Sequence, residues 1–328
     1  MQTPPRASSA SLSAVKLFLI MCAGTLAFAA SARAADWVER QFDPPIGSRW
    51  IVQSDETTEE NREGRVQTST MKMTSEFTID AKTAEGLRVT YVVRSAVYEG
   101  DARLAAIIGP VTKALENLVV RATTGPNGMP LRVDNLAEVQ AAARVAIDGM
   151  VAAFASKPEV AATLRKMMMA MLVDDQKQAT KLYLGDLQIF ALGQNTGLHP
   201  GETRRDSDEA PNPLGGTPLK SSTTLRIDRI DPATGNVRLI RTRTFDADAM
   251  KEFLNKMMKQ MGGVDGKDTQ KFEAFMKQLT IALDGRAEID VEGGMTRAVR
   301  EEDTTTASIM GHSMVKREHK LTTITRAP

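Results

Sequence analysis

The stretch RVQTSTMKMTSEFTIDAKTAEGLRVTYVVR, residues 65–94, decides the fold. Gln67, Ser69, Met71, Met73, Phe77 and Ile79 fall on one face at period two, while Thr68, Thr70, Lys72, Thr74 and Glu76 take the other. Such alternation marks a half-buried antiparallel strand, because successive side chains point to opposite faces. After a turn at 83–86, Leu87, Val89, Tyr91 and Val93 alternate against Arg88, Thr90 and Arg94. The two runs predict a hairpin.

The same grammar recurs along the chain. Gly125-Pro126-Asn127-Gly128 is a turn between strands at 119–123 and 129–133, and the turn 231–235 joins strands at 221–228 and 236–244. Gly293-Gly294 separates 286–291 from 295–300, and a long run closes the chain from 308 to 326. Upstream, Pro44-Pro45 ends a lead-in and Gly47 opens a short strand at 48–53. The acidic segment 55–64 reads as a loop or long hairpin tip, and 193–220 reads as an irregular connection.

Between the strands lie helical stripes. Asp101 is an N-cap for Leu104, Ile107 or Ile108, Val111, Leu115 and Leu118, with Gly109-Pro110 expected to kink or split the helix. Asn135 with Glu138 has capping-box spacing before Leu136, Val139, Ala143, Ile147, Met150 and Phe154. Ser156, Pro158 and Glu159 open a stripe of Val160, Leu164, Met168 and Met171. Asp246 or Asp248 caps a helix carrying Met250, Phe253 or Leu254, Met257 and Met261, and Asp268 starts another through Phe272 and Leu279.

The expected fold is α+β: a curved antiparallel sheet, half-barrel-like, with amphipathic helices across its concave side. Phe77-Thr78-Ile79-Asp80, a turn, and Gly86-Leu87-Arg88-Val89 recur as Leu225-Arg226-Ile227-Asp228, a turn, and Gly235-Asn236-Val237-Arg238. That recurrence suggests two duplicated halves, about 45–134 and 199–299, with a helical insertion at about 135–183. Each half alone is short of strands, so 35–328 is expected to form one mature domain.

Residues 1–34 read as a signal peptide. Arg6 and Lys16 give a basic start, 17–30 is apolar, and Ala32-Arg33-Ala34 has small residues at the cleavage positions. The apolar run is shorter than the ~20 residues of a spanning helix. Export to the periplasm with cleavage after Ala34 follows, leaving no transmembrane segment. Cys22, the one cysteine, lies in this leader, so disulfides, thiolate catalysis and Cys-based metal sites are excluded from the mature chain. The chain has 42 basic and 41 acidic residues, a balance that excludes a typical nucleic-acid binder.

Candidate chemistry is sparse. There are three histidines, His199, His312 and His319, and no Gly-x-Ser-x-Gly elbow, His-Glu-x-x-His pair or phosphate-binding glycine loop. No catalytic, cofactor-binding or metal residue is assigned, and the chain is read as no enzyme. Met310-x-His312-x-Met314 would align two thioethers and an imidazole on one face of a strand, a donor set suited to Cu(I), with Met71 and Met73 as further ligands if adjacent. Chance spacing among 18 methionines is the alternative, and Gly311 can break the alignment. Glu56, Glu59, Glu60 and Glu63 lack the fixed spacing of a Ca²⁺ loop. Met167, Met168, Met169 and Met171, with Met257, Met258 and Met261, are core filler or the lining of an apolar groove.

In layout, from the export signal through threonine-rich strands and central helices to the Gly293-Gly294 hairpin, the chain resembles periplasmic domain-of-unknown-function proteins of Gram-negative bacteria. More distantly, the inferred architecture is similar to lipoprotein-carrier half-barrels, a likeness that implies an acyl-chain ligand. The expectation is a non-enzymatic periplasmic protein that binds a lipid or other apolar or amphipathic ligand between sheet and helices. The alternatives are a Cu(I)-binding protein and an assembly module acting through a protein partner.

Overall fold

The computed structural model describes residues 43–174, 183–193, 196, 198, 199, 201–210, 219–231, 233–262, 278–309 and 312–328. The strands are β1 (Arg49–Arg62), β2 (Arg65–Lys82), β3 (Leu87–Glu99), β4 (Val119–Thr124), β5 (Pro130–Val133), β6 (Thr203–Ala210), β7 (Leu219–Ile230), β8 (Val237–Phe245), β9 (Thr280–Glu292), β10 (Met295–Ile309) and β11 (His312–Arg326). The helices are α1 (Ala102–Leu115), α2 (Leu136–Ala152), α3 (Pro158–Met169), continued by a wider turn Ala170–Asp174, and α4 (Ala247–Gly262). A tight 3-10 turn spans Asp186–Ala191.

All eleven strands make one antiparallel sheet in the order β5-β4-β3-β2-β1-β11-β10-β9-β8-β7-β6. The sheet is open and uncurled, with β5 and β6 at its edges, so the expected half-barrel is corrected. β1 pairs with β11 in the middle of the order, and no ladder among the described residues joins β5 to β6. The α+β class stands, as helices pack on the sheet.

Of the two expectations for the acidic segment 55–64, the loop is corrected and the tip of a long hairpin stands. β1 runs to Arg62 and pairs with β2 along its whole length, from Arg49 opposite Thr78 to Arg62 opposite Arg65. Glu63 (φ 51°) and Gly64 (φ 82°) close that hairpin with the two positive φ angles a tight I′-type turn requires. The connection 193–220 is also corrected in part, since it contains edge strand β6. The final run is two strands, because β10 ends at Ile309 and β11 starts at His312 directly opposite.

The halves of the sheet run alike: β1 to β5 and β6 to β10 are each ordered consecutively, with α1 between β3 and β4 and α4 between β8 and β9. The β2–β3 ladder skips Asp80, and the β7–β8 ladder skips Asp228.

One face of the sheet is covered. Trp50, Val52, Phe77, Ile79, Val89, Tyr91 and Ile324 are buried there with Leu184, Leu187 and Phe190. Phe190 stacks on Phe77 with ring centroids 3.9 Å apart, a contact worth roughly 1 kcal/mol beyond area burial. Leu198 joins Leu225, Ile227, Leu239, Ile289 and Val299 on the other half, and Ile189 packs against both groups. Ile189 and its neighbours Leu187 and Phe190, with Leu198, thus link the two halves.

A second layer is made by helices alone. Ile107, Ile108, Ile147, Met150, Leu164 and Met168 form its core, with Met71 and Tyr98 of the sheet packed against it. α1 runs as one helix through Pro110 rather than splitting there. The Asp101 cap holds, with its Oδ1 accepting from Leu104 N–H at 3.2 Å, and Asp246 caps α4 through Ala249 N–H at 2.8 Å. The Asn135 capping box is corrected: its side chain makes no cap bond. Asn135 instead accepts from Arg121 N–H and donates to the Val119 carbonyl, each at 2.8 Å, completing the edge of β4 beyond short β5. The helix expected from Asp268 falls almost wholly outside the described residues.

Candidate functional site

Strand register carries the covered face from apolar to charged in three steps. The first row across the sheet is Ile227, Leu239, Ile289, Val299, Thr322, Ser54, Met73 and Ala96. It is apolar except at the centre, where Ser54 and Thr322 hydrogen-bond to each other at 3.3 Å. Two residues further along each strand, the row reads Leu225, Arg241, Ala287, Glu301, Lys320, Glu56, Met71 and Tyr98. The next reads Thr223, Arg243, Gly285, Asp303, Glu318, Thr58 and Ser69. Side chains two apart on a strand share a face, so the charges continue the side that elsewhere forms the core.

Glu56, Arg241, Arg243, Glu301, Asp303 and Lys320 are half-buried, and one pair is fully withdrawn from solvent. Lys316 and Glu318 are 5% and 7% exposed, and Lys316 Nζ donates to Glu318 Oε1 at 2.5 Å. Thr305, Thr322, Ser221 and Thr223 are buried beside them. Arg241 Nη2 lies 3.4 Å from Glu301 Oε1. Arg243 Nε donates to Ser221 Oγ at 3.1 Å, and its guanidinium sits 4.3 Å from the Phe245 ring centre. Gly285, between Arg243 and Asp303, leaves the space that the Asp303 carboxylate occupies.

Burial sets the electrostatics. The Asp303 carboxyl is pushed up to about 7, first by loss of solvent and then by Glu301 and Glu318, against the opposing pull of Arg241 and Arg243. Glu56 is raised, again mainly by burial, with Glu318 and Glu301 adding to it while Lys320 and Lys316 oppose it. The other sheet face behaves differently. There Glu76 is held below its usual range by its hydrogen bond to Arg49 and by Arg94 beyond, in a solvated ladder of charge.

The residues singled out in the sequence are scattered. Met310 lies outside the described residues, and His312 and Met314 stand on β11 opposite Ile309 and Ala307. His312 is exposed and pairs with Glu63 of the β1–β2 turn. His319 lies on the opposite strand face from His312, 3.9 Å from Glu302, and the backbone N–H of His199 donates to Glu202 at 2.9 Å. Glu56 and Glu60 face the covered side and Glu59 the other, so the acidic segment does not converge on a cation. Among the described residues no group of three His, Cys, Asp or Glu is placed to hold a metal ion.

Met150 and Met168 are each 1% exposed inside the helical core, which makes them packing residues. The side chains of Met167, Met171, Met257, Met258 and Met261 lie outside the described residues. The ionic rows were missed in the sequence. Their signal was phase: Leu239, Arg241, Arg243 and Val299, Glu301, Asp303 carry an apolar alternation straight into charge.

No protein-family profile and no curated protein sequence matches the chain. Among solved structures it is similar to lipovitellin, in a structure concerned with lipid–protein interactions, at TM-score 0.42 and 11% identity, over 87% of this chain and 26% of that one. The chain therefore spans about a quarter of that protein. An outer membrane channel from Pseudomonas putida F1 follows at TM-score 0.16 and 7% identity, over 89% and 100% of the two chains. MucB in complex with periplasmic MucA follows at 0.11 and 11%, over 84% and 89%. Likenesses this distant do not say what the chain does. No helix among the described residues is long and apolar enough to cross a membrane.

Proposed function

We propose that this chain is an exported, periplasmic protein that binds an amphipathic ligand of the lipid class on the covered face of its sheet, without turnover. The observation that carries the reading is the banding of that face. Trp50, Val52, Ile324, Val299 and Leu239 form an apolar zone, and Glu56, Lys320, Glu318, Asp303, Arg241 and Arg243 follow it in strict register.

Stability alone gives no reason for such a band. Buried ion pairs repay their desolvation poorly, and well-packed apolar residues in their place are often neutral or stabilising. A molecule with an acyl portion and a polar end matches both zones at once. Perturbed carboxyls such as Asp303 are also characteristic of functional sites. The reading favours binding over catalysis because His199, His312 and His319 all lie outside the two ionic rows. Export rests on the basic start, apolar run and Ala-x-Ala end of 1–34. The matched strand order of β1–β5 and β6–β10, with the skipped Asp80 and Asp228, supports an origin by internal duplication, in which the ionic rows straddle the join.

Trp50 supplies the test. It is 5% exposed on the covered face, with the Arg297 guanidinium 4.7 Å from its ring. In a Trp37→Phe background its emission is the only tryptophan signal. A brominated C16 fatty acid is expected to quench it saturably, near one molecule per chain, while the unbrominated acid is not. Absence of quenching at submicellar concentrations would remove the reading.

A further inference from the structure

One segment covers the sheet without being a strand or an α-helix. Between 184 and 193 every third residue, Leu184, Leu187, Phe190 and Gly193, is buried, while Gly185, Gln188, Ile189 and Leu192 are half-exposed. The segment is therefore a single layer between sheet and solvent. Its backbone bonds are short-range and internal, from Leu187 N–H to the Leu184 carbonyl at 3.1 Å and from Gln188 N–H to the Gly185 carbonyl at 3.2 Å, and among the described residues none reaches a strand. Its anchors lie at its two ends. Tyr183 Oη donates to the Leu172 carbonyl of the helical layer at 2.5 Å, and Arg204 Nη1 of β6 donates to the Thr196 carbonyl at 2.5 Å. The seat beneath it holds an unmet polar group. Gly193 presses on Val291, where a Cβ would run into Val291 Cγ2, and Val291 stands opposite Thr296 in the β9–β10 ladder. Thr296 is 0% exposed, and its Oγ1 has no hydrogen-bond partner among the described residues. A buried hydroxyl left unpaired costs stability and calls for a reason. Thr296 also borders a bulge in β10, a device that re-aims side chains beside functional sites, and the next residue, Arg297, reaches over the Trp50 ring.

We propose that residues 184–193 are a displaceable strap, which holds the place of the ligand's chain on the Trp50 and Phe77 half of the sheet and lifts between its Tyr183 and Thr196 anchors to admit it. Lifting brings the Thr296 hydroxyl within reach of the ligand's polar group. The proposal rests on the amphiphile reading above and adds how the buried apolar zone becomes accessible. The exchange is like for like: Leu184, Leu187 and Phe190 withdraw apolar surface that an acyl chain replaces, and such contacts are non-directional. The strap gives up no strand-type hydrogen bond on leaving. Its latch is the stack of Phe190 on Phe77, and the ligand shifts the strap by binding the open form alone.

A reversible lock tests it. The Cβ position of Gly193 lies 3.3 Å from Val291 Cβ, close to the ~3.5–4.5 Å of a disulfide, and Cys22 is the one native cysteine. In a Cys22→Ser, Trp37→Phe parent, Gly193→Cys with Val291→Cys pins the strap when oxidised and frees it when reduced. The oxidised protein is expected to lose the quenching of Trp50 by the brominated C16 acid, and reduction with dithiothreitol to restore it. Equal quenching in the two states would overturn the strap and leave the amphiphile reading in place. Absence of quenching in the parent as well would overturn both. Phe190→Ala removes the latch without any cross-link, so it decides the matter where the cysteine variant binds in neither state. It should melt below the parent yet bind the acid roughly tenfold tighter, because more of the protein is open before binding. Unchanged or weaker binding, the result for a residue that only packs, would overturn the strap. Thr296→Val should do the reverse, melting higher and binding more weakly.

Discussion

Asp303 lies over Gly285: the two face each other across the β9–β10 ladder, and the carboxylate occupies the place a Cβ on Gly285 would take. Glycine in a strand interior is otherwise a weakness, and close approach of another group is one reason to have it. Gly285→Ala is expected to displace the Asp303 carboxyl and cost about 1 kcal/mol, at the low end of overpacking because only a side-chain end must move. In an Asp303→Ala background the same change should cost nothing. Denaturant unfolding of the four proteins in the cycle checks this.

Lys316 and Glu318 form a pair with side chains 6% and 8% exposed. Removing one charge strands the other, so Lys316→Met or Glu318→Leu alone should cost about 3–5 kcal/mol. The double change to Met and Leu should cost much less than either, since no uncompensated charge remains. Urea melts of the two single variants and the double variant measure the coupling.

Asp303 also makes stability depend on pH. Its folded-state pKa is raised from 3.8 to about 7, so the folded protein holds a proton that the unfolded chain has already released. The contribution is complete below about 3.8 and is lost as pH rises through about 7. Each tenfold gain in proton affinity on folding contributes about 1.4 kcal/mol. The raised Glu56 acts in the same sense. Asp303→Asn should therefore melt above the wild type at about pH 8 and converge with it near pH 4. Melting curves of both proteins across that range decide it.

Two helix glycines separate packing from propensity. A Cβ on Gly149 of α2 would meet Pro110 Cβ of α1 at 2.6 Å, and a proline ring cannot swing aside. Gly149→Ala should cost about 1–3 kcal/mol. Nothing lies within 4 Å of a Cβ on Gly109, so Gly109→Ala should stabilise by roughly 0.5–1 kcal/mol. Thermal unfolding of the two variants should shift in opposite directions.

The strands were legible where apolar and polar residues alternate, as at Phe77, Ile79 and Val89, and the caps at Asp101 and Asp246 were legible from residue type. Residues 55–62 were not, because acidic side chains read as solvated and the sequence does not reveal that β2 and β11 pair with this segment on both sides. Asn135 has the right type and spacing for a cap, yet β4 has backbone groups at its edge within reach, and two backbone bonds outcompete one. The site escaped because each of its charged strands contributes only one to three charges. Arg241, Asp303, Glu318 and Glu56 lie on four different strands and meet only through the pairing of β9 with β8 and β10 and of β11 with β10 and β1. The pairing of β11 with β1 joins the ends of the chain, which no local pattern encodes.

Native mass spectrometry of the protein, expressed with residues 1–34 in place and purified without detergent, tests the central claim most directly. The account predicts a co-purifying mass in the lipid range, released on denaturation as an amphiphile, and its exchange for added palmitate. A bare protein mass that stays bare after palmitate is added would contradict the assignment of the banded face as a ligand site.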